Sequence, residues 1–240
     1  MLRKVFIVLL VVFVCAGCTK REDKLIMVTE ASFAPYEYYS DGKIVGIDVD
    51  IAKEIAKELG KELVVKDVAF DSIIHEVKSG KADIGVAGIS YTEERAKQID
   101  FSINYTSSKQ IIIVRKNSEI KGVKDIKNKK IAVQLGSVAD MYVSDEYDSK
   151  NIIRQKKYLA AIQDLKDGKV DCVVMDELPA KEIILENNDI YMLDEVLVED
   201  NYGIIVKKGN SELLEVVNRV IKRLRDEGKI DDYFLEHSSK

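Results

Sequence analysis

Short apolar runs alternate with stretches of helical period along this chain, and the alternation predicts an α/β fold. Leu25-Ile26-Met27-Val28 has the length and residue types of a strand. Between Asp48 and Gly60, the residues Val49, Ile51, Ala52, Ile55, Ala56 and Leu59 recur at the spacing that lines one helix face, and Gly60 marks the end. Leu63-Val64-Val65 reads as the next strand, a helix follows from about Asp71 to Ser79-Gly80, and Ala82-Asp83-Ile84-Gly85-Val86-Ala87 is a further strand. After Tyr105 the pattern restarts, with Gln110-Ile111-Ile112-Ile113-Val114 and Lys130-Ile131-Ala132-Val133-Gln134 ahead of a turn at Gly136. Ser79-Gly80-Lys81-Ala82-Asp83 and Asp167-Gly168-Lys169-Val170-Asp171 each close a helix on glycine and open a strand, so two α/β units of similar plan are expected. Open α/β sheets bind ligands beyond the carboxyl ends of their strands, and two such units facing each other would form a cleft.

One strand end concentrates hydrogen-bonding groups. The run ending at Ala87 meets Gly88-Ile89-Ser90-Tyr91-Thr92 and then Glu93-Glu94-Arg95. A threonine at this junction suits a helix N-cap, which leaves backbone N–H groups pointing outward toward an anion. Arg95, three residues on, could turn a planar guanidinium to the same point and hold a carboxylate through two parallel bonds. On the residues alone, an exposed arginine in a solvated first turn is the commoner outcome.

The beginning of the chain bears on location. Arg3 and Lys4 precede an unbroken apolar run over 5–14, followed by Cys15-Ala16-Gly17-Cys18, the layout of a secretory signal peptide rather than a permanent span. If residues 1–17 are removed, two positive charges go with them and the formal net charge moves from −5 to −7. That balance, without a basic patch, argues against a nucleic-acid partner. Three cysteines are present. With Cys15 and Cys18 committed to the leader and its junction, Cys172 has no partner for an intramolecular disulfide, and its apolar run reads as core.

Phe33-Ala34-Pro35-Tyr36-Glu37, Gly46-Ile47-Asp48-Val49-Asp50-Ile51-Ala52, the segment 80–105, Gln134-Leu135-Gly136-Ser137 and Val174-Met175-Asp176 follow one another in the order found in a known family. In these motifs the chain resembles the extracellular polar-amino-acid-binding proteins of ABC transporters, solute-binding protein family 3. The resemblance implies an α/β fold of the two-lobed type II periplasmic-binding-protein kind, a Venus flytrap with two hinge crossovers. The first lobe would take 24–104 and 203–240, the second 110–198, and the hinges 105–109 and 199–202. By the same likeness Arg95 clamps the ligand α-carboxylate with help from the Ser90 hydroxyl, and the Gly88 carbonyl and Asp176 meet its α-ammonium. The turn of Gln134, Gly136, Ser137 and Val138 would add backbone N–H groups to the carboxylate. Phe33 and Phe70 would sandwich the ligand side chain, an arrangement that also favours a cation. Glu30 would meet its far end, which points to a cationic amino acid. Cys18 matches the lipidated cysteine of a lipobox, implying a palmitate-type membrane anchor. An amino acid and a membrane permease are the partners expected, with a monomer, no cofactor and no metal.

Two alternatives stay open at this stage. Some relatives on this scaffold resemble cyclohexadienyl dehydratases. For such chemistry the chain offers only two histidines, His75 and His237, both read as surface residues, and Glu177 beside Asp176, read as charge favoured at a helix start. A stand-alone sensory module is the other; sensor versions normally continue into a transmembrane helix, whereas here an amphipathic helix over 212–227 is followed by the polar end at Lys240.

Overall fold

The computed structural model of the protein describes residues 23–238. The leader expected over 1–17 and the expected lipidation site Cys18 lie outside the described residues. No helix among the described residues is long and apolar enough to cross a membrane. In chain order the first elements are β1 (Lys24–Thr29), β2 (Ser32–Phe33), β3 (Glu37–Ser40), β4 (Lys43–Val45), α1 (Ile47–Glu58), β5 (Glu62–Asp67), α2 (Ile73–Lys78), β6 (Ile84–Gly85), α3 (Glu93–Ala96) and β7 (Ile99–Phe101). There follow β8 (Thr106–Arg115), β9 (Ile131–Gln134), α4 (Val138–Glu146), β10 (Ile152–Gln155), α5 (Tyr158–Lys166), β11 (Cys172–Asp176), α6 (Glu177–Leu185) and β12 (Ile190–Tyr202). The chain ends with β13 (Ile205–Lys207), α7 (Ser211–Asp226) and α8 (Lys229–His237).

The strands form two five-stranded sheets of the same plan, β5-β1-β6-β13-β7 and β10-β9-β11-β8-β12, beside the small β2-β3-β4 sheet. In each large sheet the first three strands run parallel and the other two pair antiparallel. The internal echo read from the sequence therefore has a structural counterpart. The chain passes from the first sheet into β8 and returns from β12 into β13. Where it does so the two strands pair antiparallel, from Glu199 opposite Lys109 to Tyr202 opposite Thr106. Tyr105 donates to the Tyr202 carbonyl at 3.0 Å and Gly203 to Ile89 at 3.0 Å, tying this ribbon to the first sheet.

Burial follows the pattern of apolar positions. The inward stripe of α1 is buried at Val49, Ile51, Ala52, Ile55 and Ala56, and β11 is buried from end to end. Cys172 is a free, buried thiol pushed up to about 12 by burial and then by Asp171, so it behaves as a small apolar side chain. Two sequence expectations change. The strand expected over 82–87 pairs in full only at Ile84 and Gly85, because Asp83 turns its side chain back to accept from Ile26 N–H at 2.8 Å and the chain bends away at Gly88. His237, expected at the surface, is half-buried: its Nε2 lies 2.7 Å from Asp50 Oδ2 and its Nδ1 3.2 Å from the Tyr38 hydroxyl, which docks α8 on α1.

The start of α1 shows how the scaffold sets up one strand end. Gly46 has φ 129°, and a Cβ there would lie 2.1 Å from the Tyr36 carbonyl oxygen, so only glycine allows the helix to begin this close to β3. Two residues later Asp48, fully buried, accepts the Gly88 N–H at 3.0 Å. Glu37 is buried beside it. Burial, followed by the charge of Asp48, raises the Glu37 carboxyl well above its ordinary range, so Glu37 is the protonated member of the pair. A proton shared between the Glu37 and Asp48 carboxyls, with the Tyr105 hydroxyl as a further partner of Asp48, accounts for the buried oxygens there. Replacing Glu37 by Gln substitutes an amide N–H for that proton and is expected to change stability by less than about 1 kcal/mol. Asp48→Ala leaves the Gly88 N–H and Glu37 unpaired and should cost about 3 kcal/mol in urea unfolding; equal costs for the two variants would refute the shared proton.

Candidate functional site

The carboxyl ends of β6, β9 and β11 converge on one narrow cavity between the two large sheets. Its lining comprises Glu30, Phe33, Phe70, Gly88, Ser90, Gln134, Ser137, Val138, Tyr158 and Asp176. Every expected site residue except Arg95, Gly136 and the lipidation site is in that lining. Arg95 stands immediately behind Ser90.

Arg95 reaches its place because Thr92 caps α3, its hydroxyl accepting the Arg95 N–H at 3.1 Å. The side chain is 3% exposed. One terminal nitrogen donates to the Ser90 carbonyl at 2.6 Å and the other to the Gly136 carbonyl at 2.9 Å, so the guanidinium bridges the first sheet and the turn after β9. The Phe70 ring lies beneath it, 5.6 Å from centroid to Cζ. Burial lowers the Arg95 pKa, and the charges of Asp200 and Asp176 act against that. The guanidinium thus has two carbonyl acceptors and no carboxylate at ion-pair distance among the described residues, although its fork can donate five hydrogen bonds.

An acidic pair stands at the same cavity, with Asp176 in its lining and Asp200 behind Ser90. Asp176, the last residue of β11, accepts from the Ser108 hydroxyl at 2.7 Å and from Gln110 Nε2 at 2.8 Å, and also from the Tyr202 hydroxyl. Asp200 accepts from the Ser90 hydroxyl at 3.0 Å and from the same Gln110 nitrogen at 3.1 Å. Burial, and next the charge of Asp200, push Asp176 up to about 7 against the pull of these donors. Burial likewise raises Asp200, with Gln110, Ser90 and Arg95 opposing. Two carboxylates held by one amide cannot both ionise freely, and a cation between them would relieve both.

The turn after β9 departs from its expected role. The Gly136 N–H donates to Asp140 Oδ2 at 3.0 Å and the Ser137 N–H to the Gln134 carbonyl at 3.1 Å, so both are already used. The Ser137 hydroxyl caps α4 by accepting the Asp140 N–H at 3.1 Å. Val138 then opens α4, where first-turn N–H groups other than that of Asp140 can meet an anion.

At the other end of the cavity Glu30 is 2% exposed. Its carboxylate accepts from the Ser32 hydroxyl at 2.7 Å and from Gln134 Nε2 at 3.2 Å, and lies 3.0 Å from Lys157 Nζ. Burial alone would lower the Lys157 pKa, but the Glu30 hydrogen bond and charge, together with Asp67, raise it overall. Phe33 stacks on Tyr158, with ring centroids 5.8 Å apart, and on Tyr36 at the same separation. A Cβ at Gly88 would lie 2.8 Å from the Phe33 ring, so the ring is seated against bare backbone. Phe33 and Phe70 both line the cavity, Phe33 in the tyrosine stack and Phe70 under Arg95.

Reasoning from sequence missed Asp200, Ser108, Gln110, Tyr158 and Lys157. Asp200 sits in the polar run Glu199-Asp200-Asn201, which reads as surface; in the structure it pairs opposite Ser108 and is half-buried. His75 is exposed and Glu177 forms an ion pair with Lys181 at 2.6 Å, so neither is in the cavity lining.

Comparison with known proteins matches this arrangement. Residues 25–237 match the model of the bacterial extracellular solute-binding proteins, family 3. The chain is 33% identical over 221 residues to the arginine-binding extracellular protein ArtP of Bacillus subtilis, covering 90% of this chain and 86% of that one. It is 30% identical to the ABC transporter glutamine-binding protein GlnH of the same organism, over 90% of this chain and 81% of that one. Among solved structures, the amino acid ABC transporter substrate-binding protein AbpA of Streptococcus pneumoniae, bound to L-arginine, superposes with a TM-score of 0.85 at 36% identity, over 90% of this chain and 94% of that one. With two sheets of one plan, a double crossover and a cavity between them, the chain has the two-lobed type II periplasmic-binding-protein fold and belongs to the bacterial extracellular solute-binding proteins of family 3.

Proposed function

We propose that the protein is the extracytoplasmic receptor of an uptake system, binding one polar L-α-amino acid, with a cationic side chain favoured, and delivering it to an ABC permease. The observation that carries this reading is the buried Arg95 guanidinium, which lacks a carboxylate, directly behind the cavity-lining Ser90, together with the buried Asp176 in the lining and the half-buried Asp200 on the Ser90 hydroxyl, acids that lack a cation. A zwitterion supplies both missing partners at once, and such buried charges repay desolvation only when well hydrogen-bonded. Glu30 at the far end, together with relatives named for arginine, supports a cationic side chain. Phe33 and Tyr158 supply apolar lining for its aliphatic part. The relatives named above are binding proteins rather than enzymes, and no histidine lines the cavity, so binding without turnover is the reading for this chain.

In this reading residues 24–104 and 203–240 move as one lobe and 110–198 as the other about 105–109 and 199–202. Ligand docks first on Arg95, Ser90 and Gly88, and closure brings Asp176 and the first turn of α4. The protein acts as a monomer, held at the membrane by a lipid on Cys18 after removal of 1–17. Cys18→Ala should then release it from membranes and abolish incorporation of labelled palmitate; retention in the membrane fraction would refute the anchor.

Arg95→Ala removes the bidentate clamp and is expected to weaken arginine binding at least a hundredfold by calorimetry, or about 3 kcal/mol. Affinity unchanged from wild type would eliminate the clamp. The raised Asp176 gives a second expectation. A ligand ammonium favours the ionised carboxylate, so binding below about pH 7 must expel a proton. Affinity should be full above pH 7 and fall as pH drops through it, approaching tenfold per unit for one proton. Without ligand the sign reverses, because the folded state holds this proton more tightly than the unfolded chain does. This pair's contribution to stability is present below the ordinary 3.8 and is lost as pH rises toward 7. Calorimetry at pH 6 in two buffers of different ionisation enthalpy measures the proton directly. No proton release together with a flat affinity profile would contradict the role of Asp176.

A further inference from the structure

The distal end of the cavity holds a charge arrangement that recognition of an α-carboxylate and α-ammonium does not require. Glu30 follows β1 in the first sheet, whereas Lys157 precedes α5 beside the second. The Lys157 Nζ is 3.0 Å from Glu30 Oε1 and 3.7 Å from Asp67 Oδ2. Asp67 ends β5 and lies opposite Thr29 of β1, so the two acids belong to neighbouring strand ends. One ammonium therefore serves two carboxylates of unequal depth: the Glu30 side chain is 2% exposed and that of Asp67 26%. The Lys157 side chain is 44% exposed and makes no capping bond to α5, and its charge sits at the end of a flexible four-carbon stem.

We infer that Lys157 is a resident counter-cation that sets ligand selectivity, occupying the Glu30 acceptor that a cationic ligand side chain needs and moving toward Asp67 when such a ligand binds. The inference rests on the reading of Glu30 as the partner of the ligand side chain. Moving from one acid to the other asks for a small swing of the stem, since the ammonium is already near both. After the swing, Glu30 pairs with the ligand and Lys157 with Asp67, and no buried charge is left unpaired. A neutral carboxamide side chain needs no displacement: Glu30 offers it an acceptor, while the Lys157 ammonium offers a donor. Lys157 thus acts against cations and not against amides, and it narrows the gap between the two. It also links the two sheets, so its removal weakens closure equally for every ligand, an effect that cancels in a ratio of affinities.

Calorimetry on the full protein with L-arginine and L-glutamine reads that ratio. In Lys157→Met the preference for arginine over glutamine is expected to rise about three- to tenfold over wild type. Lys157→Arg should return it to within about twofold. Asp67→Asn, which removes the second acid, should shift the preference toward glutamine. The half-exposed position of Lys157 favours folding of these variants, and Lys157→Gln gives the same direction of change should the methionine variant fail to fold. A wild-type protein that binds arginine while Lys157→Met leaves the ratio unmoved or lowers it overturns the inference alone. A wild-type protein that binds neither amino acid overturns it together with the proposed function. An unmoved ratio in Asp67→Asn overturns the transfer to Asp67.

Discussion

A buried guanidinium bonded to two backbone carbonyls is an incomplete arrangement, and much of the molecule is built to hold Arg95 in it. Carbonyl oxygens carry only partial charge, so they satisfy the geometry of the fork without neutralising it. The Thr92 cap fixes the backbone from which the side chain leaves, and the Phe70 face limits where the planar group can lie. The Ser90 carbonyl belongs to the first sheet's strand end, and the Gly136 carbonyl to the turn of the second. Arg95 is consequently both a bridge between the sheets and an unneutralised charge at the cavity. Its counterparts, Asp176 and Asp200, are crowded acids whose own burial works against ionisation. Each set is strained electrostatically in the direction that the other end of a zwitterion relieves.

The repeated sheet plan explains how these groups come to face one another. In both sheets a parallel strand delivers its carboxyl end to the cavity, β6 toward Gly88 and Ser90, β11 at Asp176. The paired segments of β8 and β12 carry Ser108, Gln110, Asp200 and Tyr202, the donors and the second acid. The ribbon that connects the lobes is therefore also the floor on which the acidic pair rests. Asp48 and Glu37 perform the corresponding service for the first sheet by holding the Gly88 N–H from behind, which leaves its carbonyl for other partners.

How much of this is legible in sequence depends on the range over which each contact forms. Gly88, Ser90 and Arg95 fall within one strand-to-helix junction, so a local pattern already implies that they are close in space. Asp176 is legible as the polar end of an apolar strand, although its pairing with Arg95 comes only through family resemblance. Asp200 is not legible, because its partner Ser90 is 110 residues away and its neighbours in sequence are polar. Lys157 follows another lysine before a helix, where solvated charge is the ordinary expectation; Glu30 meets it only once the two sheets are brought together. The short β6 and the half-buried His237 fail for a related reason, since each is set by a side chain reaching across the fold.

Apart from the Phe33–Tyr158 ring stack, the contacts that join the sheets around the cavity are polar: Arg95 to Gly136, Gln134 to Glu30, and Lys157 to Glu30 and Asp67. Hydrogen bonds exchanged with water contribute about 1 kcal/mol net, and partly exposed ion pairs less than that. The sum of these polar contacts is comparable to the few kcal/mol that separate open and closed states in hinged proteins. A ligand that adds charge-assisted bonds on both sides of the cavity contributes more than these contacts together. Closure held largely by weak polar contacts is therefore what lets the zwitterion decide which state prevails.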